Sequence, residues 1–209
     1  MMDSGIRRIT YASSVAVYGD ALEGAHGLKE GTEPRPRSPY GITKHAAENY
    51  LKIFSERREI LATSLRLFNV FGPGQDLSRM DQGMISIYLG QALKTGTVTV
   101  KGSLSRYRDF VYVDDAVNAF LAAASYHSDS YQTFNVCTGE KTSVGEVLSN
   151  LSSEFKKELD IQVVGETPGD VAGWRGDPEK FRAACGWRAH VPLADGISRM
   201  VSHAKEVGR

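Results

Sequence analysis

Apolar and polar positions along the chain follow two periods in turn. Residues 6–13 (IRRITYAS) place Ile9 and Tyr11 at strand spacing. Residues 15–39 are rich in Gly, Pro and charge and read as a long loop. Ser38-Pro39-Tyr40 then opens a helix to about residue 58, with Ser38 as N-cap and Pro39 at the first helical position. Ala46, Ala47, Tyr50, Leu51 and Phe54 give this helix an apolar stripe near the 3.6-residue period.

The alternation continues with a strand at 63–68 and a turn-rich exit, NVFGPGQ, at 69–75. A helix over 83–94 is predicted to end at Gly96. Short strands at 98–100 and 110–113 flank the basic stretch 103–108, and Asp114 or Asp115 is predicted to cap a helix through residue 124. After a strand at 133–136, Ser143 and Glu146 have capping-box spacing and begin another helix. A strand at 161–164, a short helix capped by Asp177-Pro178 and a helix over 193–205 complete the chain. Strands alternating with helices predict an α/β fold with a parallel sheet and helices on both faces.

The chain has 209 residues and balanced charge, 25 basic against 25 acidic, so nothing in the global field favours nucleic acid or a membrane surface. No apolar run approaches the roughly 18 residues of a bilayer span, and the start, MMDSGIRRIT, has no apolar signal segment. Cys137 and Cys185 suggest no disulfide framework and are both predicted to be buried. The five histidines show no ligand spacing, so no metal is assigned. A cytoplasmic, soluble protein is the expectation.

Ligands of parallel sheets lie outside the carboxyl ends of the strands. That rule selects Ser13, Ser14 and Asn69 with its following loop, beside Tyr40 and Lys44 on one face of the neighbouring helix. These residue types suit a hydroxyl oxidation. A phenol with an ordinary pKa near 10 is a poor base at pH 7, and an ammonium one turn away favours the phenolate. A serine hydroxyl can bridge substrate and phenolate as the proton leaves. Tyr-x-x-x-Lys alone is a weak signal, better read by itself as a solvated pair on a helix face; its order and context change that weighing.

The strings YASSVAVYGD (11–20), EPRPRSPYGITKHAAENY (33–50), SLRLFNVFGPGQ (64–75), RDFVYVDD (108–115) and FNVCTGEKTSVGEV (134–147), with PGD at 168–170 and Gly-Asp at 176–177, carry a resemblance over nearly the whole chain. The sequence resembles the extended short-chain dehydrogenase/reductase family, in its NAD-dependent epimerase/dehydratase branch, and is most similar to the UDP-glucose 4-epimerase type. The resemblance implies a Rossmann-like parallel sheet reduced to its later strands (1–70 with 110–140) and a small C-terminal α+β substrate lobe (71–109 with 141–209). It implies NAD as cofactor, a UDP-linked nucleotide sugar as substrate and a homodimer through the helix carrying Tyr40.

By the same resemblance Ser14, Tyr40 and Lys44 are catalytic, and Ser13, Tyr40, Lys44 and Phe68 face the cofactor. Asn69, Arg108, Asp170 and Trp174 face the substrate, with Trp174 near the sugar's C2 substituent and favouring glucose over N-acetylglucosamine. Bland alternatives stand beside these roles: Asn69 as a turn cap, and Arg108 as a surface partner of Asp109 or Asp114. Related dehydratases carry an acid just after the catalytic serine, where this chain has Val15 and Ala16. Removing water from a sugar needs such an acid, so an epimerase is favoured, with a reductase as alternative.

Two departures qualify the resemblance. Glu166-Thr167-Pro168 stands where the family usually has an arginine. No Gly-x-x-Gly-x-x-Gly or Gly-x-Gly-x-x-Gly precedes the first strand, an absence that corresponds to roughly 100 residues of strand–helix units. The expectation is therefore a piece of an epimerase, inactive as this chain, or else a catalytically dead nucleotide-sugar-binding or interaction module.

Overall fold

The computed structural model describes residues 5–21, 23–24, 26–81, 83–165 and 172–208. Its central sheet runs β1 (Arg8–Ser14), β2 (Leu61–Leu67), β7 (Gln132–Val136), all parallel, with Arg8 opposite Leu61 and Thr63 opposite Gln132. Strand β1 lies at the edge of this sheet among the described residues. A 3-10 turn at Val15–Val17 leaves β1 and is capped by the Ser14 hydroxyl, which accepts from the Ala16 amide at 3.2 Å.

Helix α1 (Pro39–Glu56) begins where the sequence places it: Ser38 Oγ accepts from the Gly41 amide at 3.1 Å, and Pro39 occupies the first helical position. Its buried face is different from the predicted stripe. Gly41, Glu48 and Ser55 are buried, whereas Ala46 and Tyr50 are exposed and Tyr50 keeps 66% of its surface. The helix is turned by roughly a quarter of a revolution. The cause is Arg66 on β2, which draws Glu48 against the sheet with bonds of 3.0 and 2.7 Å.

Strand β3 (Asn69–Phe71), predicted as part of an exit loop, pairs in parallel with β6 (Phe110–Tyr112). Helix α2 (Met84–Thr95) ends at Gly96 in left-handed conformation (φ 72°) and leads into β4 (Thr97–Lys101), which pairs with β9 (Asp160–Val164). Strands β5 (Tyr107–Arg108), β8 (Thr142–Ser143) and β10 (Gly173–Trp174) make a third small sheet, ordered β10-β5-β8. Helix α4 (Val144–Phe155) has the predicted capping box, Ser143 and Glu146 exchanging bonds of 2.7 and 3.1 Å. Helices α3 (Val113–Ser125), α5 (Glu179–Cys185) and α6 (Leu193–Glu206) complete the architecture.

Two local expectations are corrected. Neither Asp114 nor Asp115 caps α3, whose N-cap is Tyr112. Asp115 is buried and accepts from the amides of His190 and Val191 at 3.0 and 2.9 Å, tying the approach to α6 onto α3. Cys185 is half-buried rather than buried, unlike Cys137.

Buried apolar side chains form two clusters. One joins Val17, Tyr18, Leu65, Phe68, Phe134 and Phe181 around the central sheet. The other joins α2, β4, β6, α4 and α6 through Leu89, Val98, Phe110, Leu148 and Ile197. Phe181 of α5 stacks on Phe134 at 4.8 Å and so belongs to the first cluster, although it lies within 141–209. No helix among the described residues is long and apolar enough to cross a membrane.

Candidate active site

Helix α1 approaches the turn after β1 closely because residue 41 is glycine. A Cβ there would stand 2.5 Å from the Ala16 carbonyl oxygen. This contact holds the first turn of α1, with Tyr40, against the turn that Ser14 opens. Lys44, one helical turn on, reaches back to β1 and donates to the Ala12 carbonyl at 2.8 Å. Its ammonium lies 5.5 Å from the Tyr40 ring centre and 5.0 Å from that of Tyr11. Ser14, Tyr40 and Lys44 thus gather at the carboxyl end of β1, with Tyr40 exposed and Ser14 buried.

Ser13 faces the other way. Its hydroxyl donates to Glu48 Oε1 at 2.5 Å beneath the strand, so only its backbone is available on the cleft side. Phe68 is enclosed in the first apolar cluster, 6.4 Å from the Tyr18 ring. Below Ser13 a buried polar network runs from Glu48 to Arg66, whose guanidinium lies 4.8 Å from the Tyr18 ring centre. Tyr18 donates to Asn135 Oδ1 at 2.7 Å, and burial pushes its phenol pKa well up. Burial works against the charge on Arg66, but the Glu48 carboxylate and the Tyr18 side chain together outweigh it and raise the guanidinium pKa. The sequence reading missed this network. Its one available signal was Glu48, four residues beyond Lys44 on the same helix, which reads as a solvated pair until Arg66 is placed opposite.

A second group gathers around Asp109. The Asn69 backbone amide and Nδ2 both donate to the Asp109 carbonyl at 3.0 Å. The Asp109 carboxylate accepts from Thr138 N and Oγ1, Gly139 N and Gly176 N at 2.7–3.2 Å. Burial raises its pKa, and these bonds oppose that rise. Arg108, in register with Trp174 across β5 and β10, lies 5.3 Å from the Trp174 ring centre and donates to the Tyr107 carbonyl at 2.7 Å. Burial lowers its pKa, and nearby Arg106 adds to the effect. Trp174 is half-buried and anchored by Nε1 to the Gly19 carbonyl at 3.1 Å, tying the 18–35 loop to β10. Asp114 faces Arg199 at 4.0 Å on the surface. Asp170 and Glu166-Thr167-Pro168 lie outside the described residues.

Residues 1–137 match the NAD dependent epimerase/dehydratase family. The chain belongs to that family. A putative UDP-glucose 4-epimerase of Methanocaldococcus jannaschii is 32% identical over 205 residues, covering 98% of this chain and 65% of the relative. A dTDP-4-dehydro-6-deoxyglucose reductase of Escherichia coli is 28% identical over 204 residues, covering 96% and 62%. The UDP-glucose 4-epimerase of Thermotoga maritima, solved with UDP-glucose, superimposes with a TM-score of 0.92 at 28% identity, covering 99% of this chain and 66% of that one. Other solved neighbours hold NAD. The chain therefore spans somewhat under two-thirds of the length of these curated relatives, and its α/β architecture is that of Rossmann-like epimerases.

The donor set at β1 fits one end of NAD. A lysine ammonium and a tyrosine hydroxyl at the carboxyl end of a parallel strand suit the ribose hydroxyls and ring at the nicotinamide end. These residues suit that end of the cofactor.

Proposed function

We propose that this chain carries the substrate-facing part of an NAD-dependent nucleotide-sugar 4-epimerase acting on a UDP-linked hexose in the cytoplasm. The observation that supports this most is the lodging of Lys44 at the carboxyl end of β1, beside the Tyr40 ring and the Ser14 turn. Tyr40 takes the proton of the sugar's C4 hydroxyl, with the Ser14 hydroxyl bridging the two oxygens. To accept that proton the Tyr40 oxygen must begin as phenolate, and the Lys44 ammonium lies beside the ring as its counter-charge. NAD, when bound, supplies the hydride acceptor and donor for C4. After the keto sugar has turned over, Tyr40 returns the proton to the C4 oxygen. Val15 and Val17 are buried in the 3-10 turn, so the segment next to Ser14 presents no acid for eliminating water.

Ser13 and Phe68 line the cofactor side through their backbone. Asn69, Arg108 and Asp170 receive the nucleotide diphosphate and ribose; Arg108, 5.3 Å from the Trp174 ring centre, carries a planar fork suited to phosphate. Trp174 sets the room beside the sugar's C2 position. Two lobes, 1–70 with 110–140 and 71–109 with 141–209, close on the substrate from opposite sides. The exposed Ile42, Tyr50 and Ile53 on α1 form an outward face for a second copy, giving a homodimer.

The test is interconversion of UDP-glucose and UDP-galactose, with NAD present, by the protein purified from its own host. Wild type is expected to turn over, and Tyr40→Phe to lose roughly a hundredfold or more in kcat. The similarity to the Escherichia coli reductase supports a second reading, nucleotide-sugar reduction. Net consumption of NADH with a keto sugar, without interconversion, would select it; turnover of neither kind, with UDP-glucose still bound, would leave a binding module. Preference for UDP-N-acetylglucosamine would remove the role given to Trp174.

A further inference from the structure

A second cavity lies away from Ser14 and Tyr40, between α1, the outer part of the central sheet and α5. It measures about 640 Å³, which is ample for a small metabolite. Lys29, Lys52, Lys180 and Arg66 line it, from four separate elements, against the carboxylates of Glu30 and Glu48. A surplus of two positive charges in one cavity departs from a chain whose overall charge is balanced.

The two carboxylates are already engaged. Glu48 is bound by Arg66 through both oxygens. Glu30 accepts from the Asn135 amide at 2.8 Å, and burial raises its pKa. The three lysines are held loosely by comparison. Lys29 is 3.8 Å from Asp177 and Lys52 is 4.0 Å from Glu56. Lys180 donates to the Thr133 carbonyl at 2.8 Å, and an ammonium carries three donors. Partial burial pushes its pKa down, so its charge lacks full compensation.

His45, also lining the cavity, points to a ligand independently. Its Nε2 lies 3.2 Å from Asn49 Nδ2, an amide nitrogen that can only donate, so Nε2 accepts and the ring proton sits on Nδ1. That Nδ1 is buried and has no hydrogen-bond partner among the described residues. Glu48 Oε2, at 3.8 Å, is beyond hydrogen-bond reach. A buried donor left unmade is costly, and a turn of the half-exposed ring toward the cavity would bring it to an anionic oxygen there.

We propose that this cavity is a second binding site, for a small phosphate-bearing anion held by Lys29, Lys52 and Lys180 beside the His45 ring. Phosphate is favoured over a carboxylate because three flexible point charges and one ring donor surround it, with no free planar fork to grip a carboxylate edge-on. The volume exceeds that of inorganic phosphate, which fits a phosphorylated metabolite whose remainder lies along Tyr131.

The experiment is a titration of the chain with inorganic phosphate at constant ionic strength, followed by nuclear magnetic resonance of the His45 imidazole and the amides of residues 29–31 and 180. Saturable shifts at these positions are expected. A Lys29→Gln/Lys180→Gln double variant should weaken the apparent Kd by roughly tenfold, while Lys157→Gln, on the exposed surface, should leave it unchanged. A dispersed spectrum of each variant shows that it folds. Shifts that never saturate, that survive unchanged in the double variant, or that cluster instead around Arg108 would overturn the site.

Discussion

Glu48 and Arg66 form a doubly hydrogen-bonded ion pair, 3.0 Å and 2.7 Å, with both side chains almost wholly enclosed between α1 and β2. Removing one partner strands the other charge out of water. Arg66→Met or Glu48→Leu should therefore each lose about 3–5 kcal/mol of stability, whereas the double variant should recover most of it. Urea unfolding of the three variants decides the matter; additive losses would mean the two residues do not act as a pair.

Gly41 sets the distance between the start of α1 and the turn bearing Ser14. In Gly41→Ala the new methyl group would meet the Ala16 carbonyl at 2.5 Å and Pro36 Cβ at 3.1 Å. Backbone must shift to admit it, at a cost of about 1–3 kcal/mol, despite alanine's better helix propensity. The expected signature is a lowered melting temperature together with displaced amide resonances at residues 14–17. A variant as stable as wild type would show that the approach is slack.

Glu30 predicts a pH dependence. Burial raises its carboxyl pKa above the ordinary 4.5, so over the window from about 4.5 to the raised value the folded chain holds a proton the unfolded chain has lost. Stability conferred by this group is full below 4.5 and is lost as pH rises through the folded value. Glu30→Gln removes that loss and keeps an acceptor for the Asn135 amide. Chemical denaturation across this window should show wild type falling relative to the variant; parallel curves would remove Glu30 as the source.

Cofactor retention follows from the donor set. Lys44 and Tyr40 suit the nicotinamide end, so a Lys44→Met/Tyr40→Phe double variant should carry no NAD through gel filtration. Stoichiometric cofactor released on denaturation would contradict this.

Local signals were legible where a residue acts on its own neighbours. Ser38 and Pro39 open α1, Gly96 ends α2, and Ser143 with Glu146 opens α4, because caps are short-range chemistry. The buried face of α1 was illegible because it depends on Arg66, eighteen residues beyond Glu48 and on another strand. Strands of two or three residues, such as β3, β5, β8 and β10, have no periodicity to read and exist only through their ladder partners. Within the candidate site, Tyr40 and Lys44 were legible through their order after the Ser13-Ser14 strand end, not through helical spacing alone. Asp109 did not, since a carboxylate that gathers loop amides looks in sequence like any other charged neighbour of Arg108.

Strand β1 is one of the two outer strands of the central sheet, and its amides and carbonyls on that side meet no other strand among the described residues. Such a border is a template for further ladder formation. In concentrated solution it should make this chain adhesive, and its exchangeable hydrogens should be traded with water sooner than those of β2. The strand that ends in Ser14 is thus also open to a newcomer.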